Sequence, residues 1–150
     1  MALVKHFKEL RVYQQAFAAA TRIYRLSKRW PAEERYSLTD QIRRSSRSIC
    51  ANIAEAWRKR RYPAHFVSKL SDSDSEAAET QVWLDFALDC DYINQEDHAS
   101  LYVSYENIAG GLVKMMANPG DWCGPSQLHE PTVPYDPHTP TPPYSDTGEE

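Results

Sequence analysis

Residues 36–57 of this chain read Tyr-Ser-Leu-Thr-Asp-Gln-Ile-Arg-Arg-Ser-Ser-Arg-Ser-Ile-Cys-Ala-Asn-Ile-Ala-Glu-Ala-Trp. Six of them repeat at alternating steps of four and three, which places them on one face of a helix. They are Leu38, Ile42, Ser45, Ile49, Asn52 and Ala56. A second set repeats in the same way on roughly the opposite side: Arg44, Arg47, Ala51, Ala54, Arg58 and Arg61. The pattern predicts a helix with one packing face and one face that presents guanidinium groups around alanines.

Three further segments have the same helical period. The first covers residues 8–29, and the third helix begins near Pro63, a residue suited to the first turn of a helix. The fourth helix follows a capping residue, Asn94, and ends at Asn118. Because short connections join antiparallel neighbours, the sequence predicts an all-α, antiparallel up-down-up-down four-helix bundle over residues 1–118.

Two details of the helices can be predicted as well. Ser37, followed three residues later by Asp40, offers a start resembling a capping box for the second helix, which should end near Arg61. The pair Gly110-Gly111 is a weak point in the fourth helix. Unless it permits close packing, each glycine costs about 1 kcal/mol relative to alanine.

The last segment of the chain, residues 119–150, has a different composition. It holds eight of the ten prolines, and no apolar residues repeat within it at a helical period. Such a segment buries too little apolar surface to offset its loss of conformational entropy. We therefore predict an irregular, Pro-rich C-terminal tail that is disordered.

Charge is divided unevenly along the chain. Residues 1–62 hold fifteen Lys and Arg against five acids, whereas residues 63–150 hold two against sixteen, so the balances are +10 and −14 and sum to the net charge of −4. A basic half is typical of a surface for nucleic acid or for an acidic partner. The same imbalance also fits neutralisation between neighbouring helices or subunits.

The N-terminus and the cysteines bear on cellular location. Residues 1–8 alternate charged and apolar side chains and contain no secretory apolar run, so we expect a cytoplasmic protein that does not contact a membrane. Cys50, Cys90 and Cys123 are odd in number and far apart, which supports neither a disulfide framework nor a zinc site.

The candidate binding residues are the cations of the second helix. They are Arg43, Arg44, Arg47, Arg58, Lys59, Arg60 and Arg61. Guanidinium groups bind phosphate oxygens bidentately, and small residues between them let a nucleic-acid backbone approach. Two alternatives remain open: the face is solvated or paired within the fold, and the run of residues 58–61 complements the dipole at the helix C-terminus.

Other polar residues favour structural roles. Those close to the packing face, which we expect to satisfy backbone groups or fix helix register, are Gln41, Asn52, Glu55 and Glu79. Asp72 and Glu76 share a face of the third helix with Glu79, and we expect this set to pair with arginines of the second helix. A di-metal bundle needs Glu-x-x-His pairs, which the sequence lacks, so we predict no metal and no cofactor.

No arrangement of residues indicates catalysis. The five histidines are scattered, the serines of residues 45–48 have no nucleophile elbow, and no Gly-rich phosphate loop occurs. We therefore expect a protein that is not an enzyme. The apolar faces of the first and third helices are wider than a monomeric bundle can bury, which predicts an oligomer.

The second helix resembles the four-helix bundle family of 23S rRNA-intervening-sequence proteins, whose relatives include accessory proteins of diversity-generating retroelements. The matching motifs are residues 41–44 (Gln-Ile-Arg-Arg), Ser48-Ile49 and residues 52–55 (Asn-Ile-Ala-Glu), and the likeness extends over about residues 5–117. Two residues depart from the family's pattern, because Ser37 and Ala56 replace its usual glycines.

The resemblance implies a homopentamer whose basic surface contacts nucleic acid or a reverse transcriptase. The leading hypothesis is a non-enzymatic, oligomeric binding or scaffold protein that presents a basic surface to RNA, DNA or a nucleic-acid enzyme. The alternative is a structural protein–protein adaptor whose arginines serve subunit contacts.

Overall fold

The computed structural model describes residues 3–123 of the chain. Four long helices and one short helix account for most of them. They are α1 (Arg11–Ser27), α2 (Leu38–Arg58), α3 (Pro63–Asp89), α4 (Gln95–Ala117) and α5 (Gly120–Cys123). The long helices contact one another in chain order, and α1 also contacts α4. The predicted antiparallel up-down-up-down four-helix bundle is confirmed.

The core lies along the line where the four long helices meet. On α3 and α4 every residue that the four-three spacing predicts to face inward is buried: Phe66, Leu70, Ser73, Ala77, Thr80, Leu84 and Ala87 on α3, and Leu101, Tyr105, Ile108, Leu112 and Met115 on α4. On α2 the stripe is buried except at Asn52, which is half-buried while its neighbour Ile53 is fully buried. The four-three spacing therefore identified the inward face of each of these helices correctly.

The first helix is shorter than predicted. Residues Phe7–Glu9 form a 3-10 turn, and Leu10 has an extended backbone with φ −66° and ψ 128°, so α1 begins at Arg11 rather than at Lys8. Leu10 is nevertheless buried in the core. The change of direction at Leu10 lets the turn before it pack against α1 and α2.

The second helix differs from prediction at both ends. Ser37 precedes α2 with φ −125° and ψ −110°, and its side chain makes no capping hydrogen bond, so the expected capping box with Asp40 is not formed. The helix ends at Arg58, and the next residue, Lys59, has φ −94° and ψ 7°. Tyr62 is extended, with φ −117° and ψ 97°, because Pro63 disfavours helical backbone at the residue before it. Arg61 therefore lies outside the helix whose stripe it was predicted to join.

The connection between α3 and α4 has two well-formed helix ends. Asp91 has φ 59°, and the N–H groups of Asp91 and Tyr92 donate to the carbonyls of Leu88 and Ala87, which is a Schellman motif. Asn94 Oδ1 then accepts a hydrogen bond of 2.7 Å from the Asp97 N–H and caps α4 as predicted. These two ends fix the reversal of the chain.

The glycine pair of α4 permits close helix packing. A Cβ atom at Gly111 would lie 2.5 Å from Cγ1 of Val12 on α1, whereas a Cβ atom at Gly110 would meet nothing within 4 Å. Only Gly111 is therefore required by the packing between α1 and α4. The helix is continuous through both residues.

The chain beyond α4 is helical for one further turn. Trp122 and Cys123 of α5 pack against the core, so the segment predicted to be irregular from residue 119 is ordered over its first five residues. Residues 124–150, where the rest of the predicted disordered tail falls, lie outside the described residues. Within residues 3–123, no helix is long and apolar enough to cross a membrane.

Candidate functional site

Three cations surround one aromatic ring at the seam between α1 and α2. The Tyr24 ring on α1 has the guanidinium carbon of Arg43 at 4.8 Å from its centroid and that of Arg47 at 5.4 Å. The ammonium group of Lys28 lies 4.8 Å from the same centroid. We call Tyr24, Lys28, Arg43 and Arg47 the Tyr24 cluster. Attraction between each cation and the ring holds three like charges together that would otherwise separate.

Helix spacing explains how the cluster forms. Arg43 and Arg47 are four residues apart, as are Tyr24 and Lys28, so each pair lies on one side of its helix. Arg43 Nε also donates a hydrogen bond of 2.8 Å to Ser27 Oγ, which fixes its side chain across the seam. The cluster therefore joins two adjacent helices and depends on their register.

The cations of the cluster have no carboxylate partner among residues 3–123. The ion pairs in this part of the chain are Arg22–Asp97, Arg44–Asp40, Lys69–Glu55, Lys69–Asp72 and His98–Asp85. The next arginine of α2, Arg44, has a side chain that is 74% exposed. Its guanidinium group pairs with the Asp40 carboxylate, one helical turn earlier, at a nitrogen–oxygen distance of 3.6 Å. The seam therefore presents positive charge that the described fold leaves largely uncompensated.

The carboxylates of α3 do not pair with the arginines of α2, so that expectation is wrong. Asp72 lies 3.9 Å from Lys69 on its own helix, and Glu55 of α2 lies 2.9 Å from the same lysine. Glu76 has a raised pKa because of burial first, and then because of a hydrogen bond and charge repulsion from Glu79. The acidic side of α3 faces away from the Tyr24 cluster because α1 and α3 flank α2 on different sides.

An apolar groove of about 410 Å³ adjoins the cluster. Its lining residues are Tyr13, Phe17, Ala20, Thr21, Tyr24, Arg47 and Cys50. Phe17 is 57% exposed in the groove. Burial raises the pKa of the Cys50 thiol to about 11, so this wall of the groove is uncharged at neutral pH. A ligand in the groove would meet aromatic and aliphatic surface with a guanidinium group at its edge.

The second basic group of α2 has a different structure. Arg58, Lys59 and Arg61 are exposed near the end of the helix. Arg60 instead donates to the Trp57 carbonyl at 2.8 Å, and its guanidinium carbon lies 4.1 Å from the Trp57 ring centroid. Arg60 thus satisfies a carbonyl of the last helical turn, which supports the dipole explanation for that residue.

The four polar residues predicted to have structural roles differ from one another in burial and in contacts. Glu55 joins α2 to α3 through Lys69, Glu79 contacts Glu76, Asn52 is half-buried and Gln41 is exposed. The hydrogen bonds that cross the α2–α3 seam come from smaller hydroxyl residues, for which the sequence analysis predicted no such bonds. Thr80 Oγ1 donates to Ser45 Oγ at 2.8 Å, and Ser73 Oγ donates to the Ile49 carbonyl at 2.7 Å.

A larger groove of about 710 Å³ lies between α1, α4 and α5. Its charged lining residues are Arg11, Glu106, Lys114 and Asp121, two of each sign. Because these charges balance, this groove is not a basic surface, in contrast to the Tyr24 cluster. Within residues 3–123, no three His, Cys, Asp or Glu side chains converge to hold a metal ion.

Sequence reasoning missed Tyr24 and Lys28 as partners of the arginines. The helical period places Tyr24 in one apolar stripe of the first helix with Leu10, Tyr13, Phe17 and Ala20, and the structure leaves Tyr24 37% exposed. The sequence does contain one signal for this site. Tyr24 and Lys28 are four residues apart on the first helix, as Arg43 and Arg47 are on the second, so each pair lies on one face of its helix. Only the register between α1 and α2 brings the two pairs together.

The fold and the site define a four-helix bundle with a cationic, aromatic seam between its first two helices. The model of the family described as 23S rRNA-intervening sequence protein matches residues 8–114. This match spans most of the chain, and the chain belongs to that family. The resemblance drawn from the motifs of α2 is thereby confirmed.

A solved structure also supports membership of this family. It is the crystal structure of a protein of unknown function from the S23 ribosomal protein family of Bacteroides thetaiotaomicron VPI-5482. The two chains are 32% identical, the match covers 71% of this chain and 95% of that chain, and the TM-score is 0.64. Among curated proteins, the comparison finds no significant match.

Proposed function

We propose that this protein is a non-enzymatic, oligomeric binding or scaffold protein whose Tyr24 cluster contacts the phosphates of a nucleic acid in the cytoplasm. The observation that supports it most strongly is the set of three cations around Tyr24 without a carboxylate partner in the described fold. Its partner is RNA or DNA itself, or an enzyme that works on nucleic acid, such as a reverse transcriptase.

The geometry of the cluster suits phosphate. Arg43 uses Nε for Ser27, which leaves its terminal nitrogens directed away from that bond. Planar guanidinium groups bind phosphate oxygens through paired hydrogen bonds, and such contacts position a nucleic acid without reading its sequence. Arg44, the residue that follows Arg43, is mostly exposed, but its charge is partly offset by Asp40 at 3.6 Å. The protein should therefore bind many sequences with similar affinity.

Self-association would multiply the site. Val82 and Phe86 lie one turn apart on the solvent side of α3, and each is about half exposed. Exposed apolar residues at this spacing favour a helix-to-helix contact between subunits. The family resemblance supports a homopentamer. A ring of weak phosphate sites would bind a long polyanion with useful avidity.

The test is binding of the full-length protein to a labelled RNA and a labelled DNA at several salt concentrations. Arg43→Gln/Arg47→Gln should lower affinity about tenfold and reduce the slope of log K against log salt by roughly 1.5–2, because two phosphate contacts are lost. Lys8→Gln/Lys114→Gln is the charge-matched control. It removes two exposed cations elsewhere and should change the slope much less.

A second candidate function has its own supporting observation. Phe17 is exposed beside Arg47, as expected for a residue in a subunit contact, so the arginines would then serve assembly in a protein–protein adaptor. Light scattering of the Arg43→Gln/Arg47→Gln variant separates the two functions. An unchanged oligomer with weakened polyanion binding supports the nucleic-acid role, whereas a dissociated oligomer whose native form binds no polyanion supports the adaptor.

A further inference from the structure

Three aromatic rings, two of them on α1, lie in contact along the groove that adjoins the Tyr24 cluster. The rings of Phe7 and Tyr13 are 5.2 Å apart and those of Tyr13 and Phe17 are 6.1 Å apart, centroid to centroid. Tyr13, Phe17 and Tyr24 all line the apolar groove between α1 and α2. The groove therefore offers several ring faces and edges within one concave surface.

The cations lie at one end of this groove. Arg47 lines the groove and also lies over Tyr24, so its guanidinium group is shared between the apolar surface and the Tyr24 cluster. Arg43 and Lys28 are bound to the same ring. A ligand that fits this arrangement has a flat apolar group and, next to it, a negatively charged group.

We propose that the groove between Tyr13, Phe17 and Cys50 binds an unpaired nucleobase, while Arg47 and the rest of the Tyr24 cluster hold the adjacent phosphate. This inference rests on the proposed function and specifies its substrate as single-stranded nucleic acid. A base inside a duplex is stacked on both faces and cannot enter a groove in a helical bundle, whereas a base in a single strand stacks readily on aromatic side chains.

The chemistry of the groove wall agrees with a base. The groove is large enough for one nucleobase, and its lining is apolar apart from Thr21, Arg47 and the tyrosine hydroxyls. The raised pKa of Cys50 keeps that side chain neutral, so the wall presents no negative charge toward a nucleotide. In a ring of subunits the contact is heterologous, so a neighbouring subunit would place a different surface of the chain against this groove, and the oligomeric state of the Phe17→Ala variant tests that occupant.

The experiment compares two single strands that differ only in their bases, with a duplex as the reference for phosphate contacts. Full-length protein is titrated with three DNA probes of equal length: a thymidine 20-mer, an abasic 20-mer with the same phosphates, and a duplex. We expect the thymidine strand to bind about tenfold more tightly than the abasic strand, because stacking on an aromatic residue adds to the phosphate contacts. The duplex, which has two strands of phosphates and no accessible base, measures phosphate binding alone.

Two variants connect this preference to the groove. Phe17→Ala should remove most of the preference for thymidine over abasic DNA and leave the salt dependence unchanged. Tyr36→Ala is the matched control, because Tyr36 is an aromatic residue that is 88% exposed and does not line the groove. It should keep the full preference.

Several results would overturn the inference. Equal, salt-dependent binding of thymidine and abasic strands would reject the base site and leave the phosphate-binding function intact. An undiminished preference in Phe17→Ala would place base stacking elsewhere. Dissociation of the oligomer in Phe17→Ala, seen by light scattering, would assign the groove to a subunit contact. If no probe binds, the proposed function fails and this inference fails with it.

Discussion

The two sides of α2 show how one helix can serve two purposes. Toward α3 the seam is closed: buried Ser45 accepts a hydrogen bond from Thr80, and Ser73 bonds to the Ile49 carbonyl. Toward α1 the seam is open at the surface, with a groove beside Tyr24 and three unpaired cations in the described fold. The hydroxyl groups of Ser45, Ser73 and Thr80 at the closed seam are hydrogen-bonded within the protein, whereas the charges at the open seam require solvent or a partner.

This contrast explains why the arginine pattern alone was ambiguous. The helix-end run 58–61 contains the same residue types as the Tyr24 cluster, yet Arg60 is used locally on Trp57. What distinguishes the cluster is its ring on a neighbouring helix. Spacing within α2 cannot reveal that ring, because it depends on the alignment of α1 with α2.

The largest effect on stability should come from the closed side of α2. Ile49→Ala removes a fully buried side chain and should lower the free energy of unfolding by about 2–5 kcal/mol. Phe17→Ala at the open seam should lower it by less than about 1 kcal/mol, since much of that ring is already exposed. Urea unfolding measures both. Similar losses for the two variants would mean that the open seam is packed as tightly as the closed one.

The glycine pair of α4 provides a second test of helix packing, with an expected change in the free energy of unfolding of about 1–3 kcal/mol. Gly111→Ala should destabilise the bundle by that amount, because its Cβ would overlap Val12. Gly110→Ala should instead stabilise it by up to about 1 kcal/mol, because the site is open and alanine favours helix. Thermal unfolding distinguishes the signs. Stabilisation by both changes would show that α1 and α4 can separate without cost.

A smaller effect is expected from the hydroxyl pair of the closed seam. Thr80→Val keeps the shape of the side chain and removes its donor, which leaves buried Ser45 without that partner. The loss should be about 1–2 kcal/mol in urea unfolding, with nucleic-acid affinity unchanged. Adding Ser45→Ala to the Thr80→Val variant should recover part of the lost free energy of unfolding, since both hydroxyl groups of the pair are then absent. A further loss in the double variant would contradict this pairing.

The open seam should also show a chemical signature with almost no effect on stability. Because the pKa of Cys50 is raised to about 11, only roughly one thiol in a thousand is ionised at pH 8. Cys50 should therefore react slowly with iodoacetamide at pH 8 and faster as the pH rises toward 11, which mass spectrometry of the modified peptide can follow. Cys90, which is exposed, serves as the reference thiol in the same sample. Equal rates for the two would contradict the burial of Cys50.

The sequence predicted the fold better than the site. The four-three repeats identified every inward residue of α3 and α4 because burial in a bundle imposes that period directly. Helix ends were less predictable. The cap at Asn94 was correct, but α2 ends at Arg58 rather than near Arg61, because a four-three spacing that continues to Arg61 does not reveal where the helix stops.

For the site, the sequence supplied the cations but not their surroundings. Arg43 and Arg47 were among the predicted residues, whereas Tyr24 and Lys28 were not. The ring–cation contacts and the groove arise from tertiary register, which local periodicity does not encode. The expected pairing of α3 acids with α2 arginines was wrong, because tertiary register also decides which charges meet. Lys69 forms the ion pairs with Asp72 and with Glu55 of α2.

The central claim is that the open α1–α2 seam, rather than the helix end, contacts phosphate. The most direct measurement is the salt dependence of binding to the thymidine 20-mer for the native protein, Arg43→Gln/Arg47→Gln and Arg58→Gln/Arg61→Gln. Each variant loses two positive charges from the α2 region. The claim predicts that the slope of log K against log salt falls by about 1.5 in the seam variant and by much less in the helix-end variant. Equal slopes for the native protein and the seam variant, with a reduced slope for the helix-end variant, would contradict it.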